Sequence, residues 1–247
     1  MAVIASLDLG NTRLKWWLDG PEWSDHGAIS NDALESGLRA LPWSVITEVR
    51  IASVRDRSTT TAIAVLVDSL SAPSCDVRQV ISREWPGLLT FPSTDLGQMG
   101  VDRYLAMLAA ASAEPDSDSV VIDAGTAMTL DIVIERVHQG GYIVPGQHLA
   151  WQSLVAQTDR IQAPKDALYD AKLGPGTVTH TCVDHGIRLA LVSLCRQVII
   201  DQMGAANCLV WVTGGAGAWL VPHLPGAARY QPDLVKRGMD RYFSLCL

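Results

Sequence analysis

The sequence predicts an α/β fold of two similar lobes, each a mixed β-sheet flanked by helices. Three observations lead there. Two apolar runs end in the same Asp-x-Gly device, Val3-Ile4-Ala5-Ser6-Leu7-Asp8-Leu9-Gly10-Asn11-Thr12 and Val120-Val121-Ile122-Asp123-Ala124-Gly125-Thr126. They lie nearly half the chain apart, which is the spacing that duplication of one domain leaves. A second stretch of β-branched, aromatic or aliphatic residues follows each turn at once, so each device reads as a tight hairpin. Elsewhere, short apolar runs alternate with helical periodicity, and the hairpins make the sheets mixed rather than purely parallel.

In chain order, the first hairpin enters its second strand over residues 14–18. Short apolar runs bounded by turn residues place further strands at 49–54 and 77–81, with a helix over 59–70 between them. Tyr104, Leu105, Met107, Leu108 and Ala111 share one helical face, so a helix begins just after Gly100-Val101-Asp102-Arg103. The polar stretch 112–119 marks the boundary, giving a first lobe of residues 1–114 and a second of 115–247. In the second lobe, strands are expected at 128–134, 141–144 and 208–213, and a helix over 186–203. Thr213-Gly214-Gly215-Ala216-Gly217 then leads into a short helix ended by Pro222.

Composition narrows the function. The 247 residues are 48% hydrophobic and 18% charged, with 26 acidic against 19 basic side chains for a formal charge of −7. That balance, without any run of five basic residues, excludes a nucleic-acid surface as the main partner. The N-terminal apolar run meets Asp8 too soon for a secretory signal. The longest apolar segment is broken by Arg188, Arg196 and Asp201, as in a buried helix rather than a membrane span. A cytoplasmic protein without a membrane partner is expected. Five cysteines without a C-x-x-C pair read as reduced, buried thiols. His180, Cys182, Asp184 and His185 are metal-ligand types at close spacing, but a structural zinc asks for four closed ligands, and a loop running into a buried helix is expected instead.

Asp8 stands where a hydrophobic strand meets a turn. A carboxylate there can hold Mg²⁺ directly or through water, Gly10 permits close backbone approach, Asn11 and Thr12 can hydrogen-bond phosphate oxygens, and Lys15 adds a point charge. Alone, the same residues are ordinary turn formers. The second copy, Asp123 with Gly125 and Thr126, favours phosphate binding, because two facing hairpins can grip one polyphosphate from both sides. Gly214 and Gly215 suit either a nucleotide lying against backbone or tight strand-to-helix packing. Nothing matches Walker A spacing. Asp102 fits a first-turn helix acid, and equally a general base for a hydroxyl, with the Arg103 guanidinium holding a substrate carboxylate. Residues 140–146 and the Gly174, Gly176 and Thr177 loop carry little weight from spacing alone.

Taken in order, Asp8-x-Gly10-Asn11-Thr12-x-x-Lys15, Gly100-x-Asp102-Arg103, Asp123-x-Gly125-Thr126-Ala127-x-Thr129-x-Asp131, Gly140-Gly141-x-Ile143-x-Pro145-Gly146 and Thr213-Gly214-Gly215 resemble type III pantothenate kinase across nearly the whole chain. The resemblance implies a duplicated actin-like ATPase (ribonuclease H-like) fold, a homodimer, and ATP-dependent phosphorylation of pantothenate in coenzyme A biosynthesis. It implies Mg²⁺ and a monovalent cation, K⁺ or NH₄⁺. Carried over by position, Asp102 is the catalytic base, and Gly100, Val101, Arg103 and Thr177 bind pantothenate. Asp8, Gly10, Asn11, Thr12, Lys15, Gly125, Thr126, Gly214 and Gly215 bind the nucleotide, and Asp8 and Asp123 the metal. Many members carry a pantothenate-contacting Tyr shortly before the Gly-x-Asp-Arg segment; here Phe91 offers packing without a hydroxyl. A superfamily kinase for another hydroxylated acceptor, or a catalytically weak nucleotide-binding regulator, is the alternative.

Overall fold

A computed structural model describes residues 3–92, 95–162, 173–202 and 208–246. The elements follow the chain as β1 (Val3–Leu9), β2 (Arg13–Asp19), β3 (Ser24–Ser30), α1 (Leu34–Arg39), β4 (Ile46–Ser53), α2 (Arg57–Leu70), β5 (Asp76–Gln79) and α3 (Val101–Ala113). Then come β6 (Ser119–Ala124), β7 (Ala127–Ile134), β8 (Val137–Pro145), α4 (Gln147–Gln157), α5 (Thr179–Gln202), β9 (Leu209–Thr213), α6 (Gly217–Leu220), β10 (Ala228–Tyr230) and α7 (Leu234–Leu245). The chain forms two compact units: Met1–Glu84 with Asp95–Ala109 and Val235–Leu247, and Trp85–Thr94 with Ala110–Leu234. The division falls within α3.

Each unit holds one five-stranded mixed sheet, ordered β3-β2-β1-β4-β5 in the first and β10-β9-β6-β7-β8 in the second. Read outward from the hairpin, the two plans are the same. The leading strand pairs antiparallel with the next, which pairs antiparallel with a third, while on its other side it pairs parallel with a fourth that carries a parallel fifth. The two Asp-x-Gly runs therefore head equivalent sheets, as the duplication argument predicts, and the α/β class with mixed sheets holds.

β1 and β6 are central strands and nearly every residue in them is buried, which is why they read as continuous apolar runs rather than alternations. In the first unit Leu7, Leu14, Leu38, Val49, Ile51 and Val67 form the core. In the second, Ile122, Leu130, Val192, Cys195, Ile199 and Val212 do. Asp56 caps α2, accepting the Thr59 N–H at 2.9 Å. The last helix, α7, packs in the first unit: its buried Val235, Met239, Tyr242 and Phe243 recur at helical spacing. The Tyr242 hydroxyl donates to Ile81 O at 3.0 Å and accepts from Arg83 Nη2 at 2.8 Å.

Some elements depart from the sequence reading. β3 is mostly exposed, with only Ile29 buried, and it exists because it completes the ladder beside β2. Gly27 in β3 leaves room for the Trp16 ring, to which an added Cβ would come within 2.7 Å. α5 begins at Thr179, so His180, Cys182 and His185 lie in its opening turns and not in a loop. Asp184 there accepts from Arg188 Nε and from Gln147 Nε2, each at 2.8 Å, and His185 Nδ1 meets Gly174 O at 2.6 Å. The five thiols are free, but Cys182 and Cys246 are exposed and Cys75 and Cys208 only half-buried; Cys195 alone fits the expectation of burial. No helix among the described residues is long and apolar enough to cross a membrane.

Candidate functional site

The register of the first hairpin sets its chemistry. Pairing places Asp8 opposite Lys15 and Leu9 opposite Leu14, and the turn is closed by Gly10 N–H donating to Arg13 O at 3.1 Å. A Cβ at Gly10 would stand 3.0 Å from that same carbonyl, so the tight closure asks for glycine. Asn11 and Thr12 are exposed at the tip, whereas Asp8 is 7% exposed at its base. Burial is the main reason that the Asp8 carboxyl is pushed up to about 6; nearby Lys15 opposes the shift and the Asp102 carboxylate adds to it.

Asp102 reaches this neighbourhood from the first turn of α3, which starts at Val101. Its carboxylate folds back over the helix start, accepting the Arg103 N–H at 2.7 Å, and a Cβ at Gly100 would stand 2.6 Å from the same oxygen. Gly100 O accepts from Tyr104 N–H at 3.1 Å and begins the helix. Asp102 and Arg103 are half-buried; Val101 is 7% exposed, so it can offer a ligand little but main chain.

The second unit assembles the other set. β6 pairs antiparallel with β7 and parallel with β9, so the Gly125–Thr126 turn and the Gly214–Gly215 turn leave the sheet at the same end of its strands. Gly214 has φ +85°, and a Cβ there would stand 2.4 Å from Asp123 Oδ1 and 2.6 Å from the Ala124 carbonyl. Ala216 N–H donates to Ala124 O at 3.0 Å and Gly146 N–H to Thr126 O at 3.0 Å, so three glycine-bearing turns meet here. The 140–146 segment, of little weight in the sequence, thus ends against the hairpin tip. Thr177 is exposed on the loop before α5, its N–H donating to Thr181 Oγ1 at 3.2 Å. Phe91 is a core residue of this unit, 3% exposed, with its ring centroid 5.5 Å from that of His138, which in turn pairs with buried Asp131 at 3.0 Å.

Two residues that the sequence reading passed over bear on the first turn. Asn11 O accepts from Asn31 Nδ2 at 2.6 Å and from Arg55 Nη1 at 3.2 Å. β4 runs parallel to β1 and ends beside it, with Val54 N–H on Leu9 O at 3.1 Å, which is what brings Arg55 to the hairpin. A basic residue just past the end of a strand neighbouring β1 was the available signal.

Among the described residues no cluster of three or more His, Cys, Asp or Glu could hold a metal. One or two carboxylates with substrate phosphates and water is nevertheless the usual environment of Mg²⁺, and Asp8, buried beside Asp102, fits that donor set.

Residues 4–201 match the family model for type III pantothenate kinase. A type III pantothenate kinase of Acinetobacter baylyi is 34% identical over 248 residues, covering 96% of each chain. Among solved structures, a Baf family protein of Campylobacter jejuni described as a transcriptional activator superposes with TM-score 0.61 at 18% identity, covering 98% of each chain. MreB 5 of Spiroplasma citri bound to AMPPNP gives TM-score 0.52 at 12% identity, covering 100% of this chain and 97% of that one. At such identities the structural likeness establishes the fold, an actin-like one.

Proposed function

The chain belongs to the type III pantothenate kinase family, whose reaction is the ATP-dependent phosphorylation of pantothenate that opens coenzyme A biosynthesis, and we propose how its residues divide that work. Asp102 takes the proton of pantothenate's primary hydroxyl as that oxygen bonds to the γ-phosphorus and the bond to the bridging oxygen of ADP breaks. Arg103 holds the pantothenate carboxylate through its planar fork, with the main chain of Gly100 and Val101 and the Thr177 hydroxyl completing the acceptor contacts. Gly10, Asn11, Thr12 and Lys15 bind phosphate oxygens, as do Gly125 and Thr126 in the second unit, and Gly214 and Gly215 form the floor under the nucleotide. Asp8 in the first unit and Asp123 in the second are the carboxylates that would hold Mg²⁺, which would supply neutralisation of the phosphate charge.

The observation that carries this reading is the neighbourhood of Asp8: a buried carboxylate whose pKa stands near 6, with Lys15 and a second carboxylate, Asp102, acting on it. Placing two acids together at a strand end works against stability, and a site for a cation and a reacting phosphate is the chemistry that uses them. Phosphoryl transfer asks a protein mainly for alignment and charge neutralisation, so a base, a metal acid and backbone turns suffice.

The test is ADP release with ATP and pantothenate, with and without Mg²⁺ and with and without K⁺ or NH₄⁺. Phosphopantothenate formation that requires Mg²⁺ and rises with the monovalent ion is expected; ATP binding with no acceptor phosphorylated would overturn the assignment. A homodimer belongs to the same proposal and is checked by light scattering of the purified protein.

A further inference from the structure

Three arginines show how this chain treats a guanidinium that it shields from water. Arg50 lies 2.7 Å from Glu48 Oε1, Arg78 is paired with the same carboxylate and lies 3.0 Å from Asp76, and Arg188 lies 2.8 Å from Asp184. Arg55 is half-buried as well, yet among the described residues it has no carboxylate partner. Its backbone is fixed at both ends: its N–H donates to Ser53 Oγ at 3.1 Å and its carbonyl accepts from Thr60 Oγ1 at 3.4 Å. The side chain spends one donor on the neutral carbonyl of Asn11, at 3.2 Å. A guanidinium has five N–H donors in a planar fork, so most of them remain for another acceptor, and among the described residues no carboxylate forms an ion pair with the full positive charge.

The position of that charge is informative. Asn11 is the middle of the turn that directly follows Asp8, and Asp102 acts electrostatically on Asp8 within the same unit. If Asp102 receives the proton from the attacking hydroxyl, this turn lies at the reacting end of the triphosphate. Arg55 also lines, with Gly10, Asn31 and four Leu and Ile side chains, a small cavity of about 60 Å³ next to the turn, so there is room at the turn beside this residue.

We infer that Arg55 is a phosphate-binding residue of the nucleotide site, reaching the terminal phosphates of ATP from the loop between β4 and α2 while its Asn11 bond sets the fork in place. The inference rests on the kinase reading above. It differs from the role given to Lys15, because Lys15 faces Asp8 across the hairpin and part of its field is spent on that carboxylate. A bidentate fork on a transferring phosphoryl group both binds and stabilises developing charge, so its loss reaches kcat/KM for ATP.

The experiment uses the full chain and compares Arg55→Gln, Arg55→Lys and Asn31→Ala with wild type, each first checked for a cooperative thermal melt. Arg55→Gln keeps a neutral donor for Asn11 and removes the charge; a fall of about 10- to 100-fold in kcat/KM for ATP with KM for pantothenate within twofold is expected. Arg55→Lys recovers part of the loss. Asn31→Ala removes the shorter bond to Asn11 without removing charge and is expected to cost several-fold less than Arg55→Gln. A wild-type kcat/KM for ATP in Arg55→Gln overturns the inference, and so does an Asn31→Ala loss as large as that of Arg55→Gln, which would make Arg55 only a prop for the turn. Should wild type itself fail to phosphorylate pantothenate, the kinase reading fails first, and the two failures are thereby told apart.

Discussion

The β1–β2 and β6–β7 hairpins hold equivalent places in their sheets, yet their acids are housed differently. Opposite Asp8 stands Lys15; opposite Asp123 stands Thr129. Asp8 is 7% exposed, while Asp123 is half-buried with one oxygen confined by the Gly214 backbone. Both turns close through main chain, Gly10 N–H on Arg13 O and Gly125 N–H on Ala127 O, but what holds them from outside differs: side chains, Asn31 and Arg55 on Asn11 O, at the first, and main chain, Gly146 N–H on Thr126 O and Ala216 N–H on Ala124 O, at the second. Duplication has thus preserved the sheet order, while the hairpin register differs by one residue, Asp8 pairing seven residues on and Asp123 six, and the anchoring has diverged. A turn fixed by side chains is tuned by charge, and one fixed by main chain is tuned by the room that glycine leaves.

The strongest way to break the comparison is to remove an acid from the first unit and then from the second. Asp102→Asn should lower kcat by about 10²- to 10⁴-fold, the usual scale of general-base catalysis, with little change in ATP binding; an unchanged kcat would remove the base from Asp102. Asp8→Asn should abolish most turnover and yet raise the Tm by a few degrees near neutral pH, since it deletes a buried charge. The sign follows from Asp8 keeping its proton up to about 6, above the ordinary 3.8. Stability linked to Asp8 is complete below the ordinary carboxylate range and is lost as pH rises through about 6. Activity runs the other way, because the ionised form is the one that holds a cation, so kcat/KM for ATP falls as pH drops through about 6. A Tm of Asp8→Asn below that of wild type at neutral pH, measured by calorimetry, would contradict the burial argument. Asp123→Asn should cost activity without the gain in stability, since its carboxylate is only half-buried.

What the sequence made legible follows the same divide. Both hairpins could be read because a buried central strand is a continuous apolar run and Asp-x-Gly is a compact stop. α3 announced itself through the face of Tyr104, Leu105 and Leu108, all of them fully buried. β3 gave no such signal, because an edge strand whose residues face solvent needs only a partner's hydrogen bonds, and Ser24–Ser30 takes them from β2. Asp8, Asp102 and Arg103 were legible as types at strand and helix ends. Asn31 and Arg55 were not, because their bonds to Asn11 depend on β4 lying beside β1 and on the 3₁₀ turn after β3, which are facts of topology rather than of spacing. Phe91 could be placed as a packing residue, but not its partner: the ring of His138 reaches it from β8.

A smaller effect separates the two kinds of turn. At Gly214, a Cβ would meet Asp123 Oδ1 at 2.4 Å and main chain at 2.6 Å, in a backbone conformation of φ +85° that L side chains rarely adopt. Gly214→Ala should therefore cost about 1–3 kcal/mol and raise KM for ATP as the turn shifts. At Gly10 the only close neighbour is Arg13 O at 3.0 Å, with no unusual φ, so Gly10→Ala should cost less than Gly214→Ala. Urea unfolding of both variants checks the order; equal losses would mean that the second turn has more freedom to move than its backbone contacts imply.

The smallest effect sharpens the role of Lys15. Lys15 pulls the Asp8 carboxyl down against the upward push of burial, so in Lys15→Met that carboxyl should hold its proton to a pH above 6, and the acid limb of kcat/KM for ATP should move upward with it. If Lys15 also contacts phosphate, the plateau above the limb falls, because the lost charge is not restored by raising pH. The two roles thus separate in one pH profile of the variant. A limb that moves while the plateau stays at the wild-type value makes Lys15 a partner of Asp8 alone, a plateau that falls while the limb stays makes it a phosphate ligand alone, and the register that sets Lys15 opposite Asp8 at the foot of an exposed turn leads us to expect both changes together.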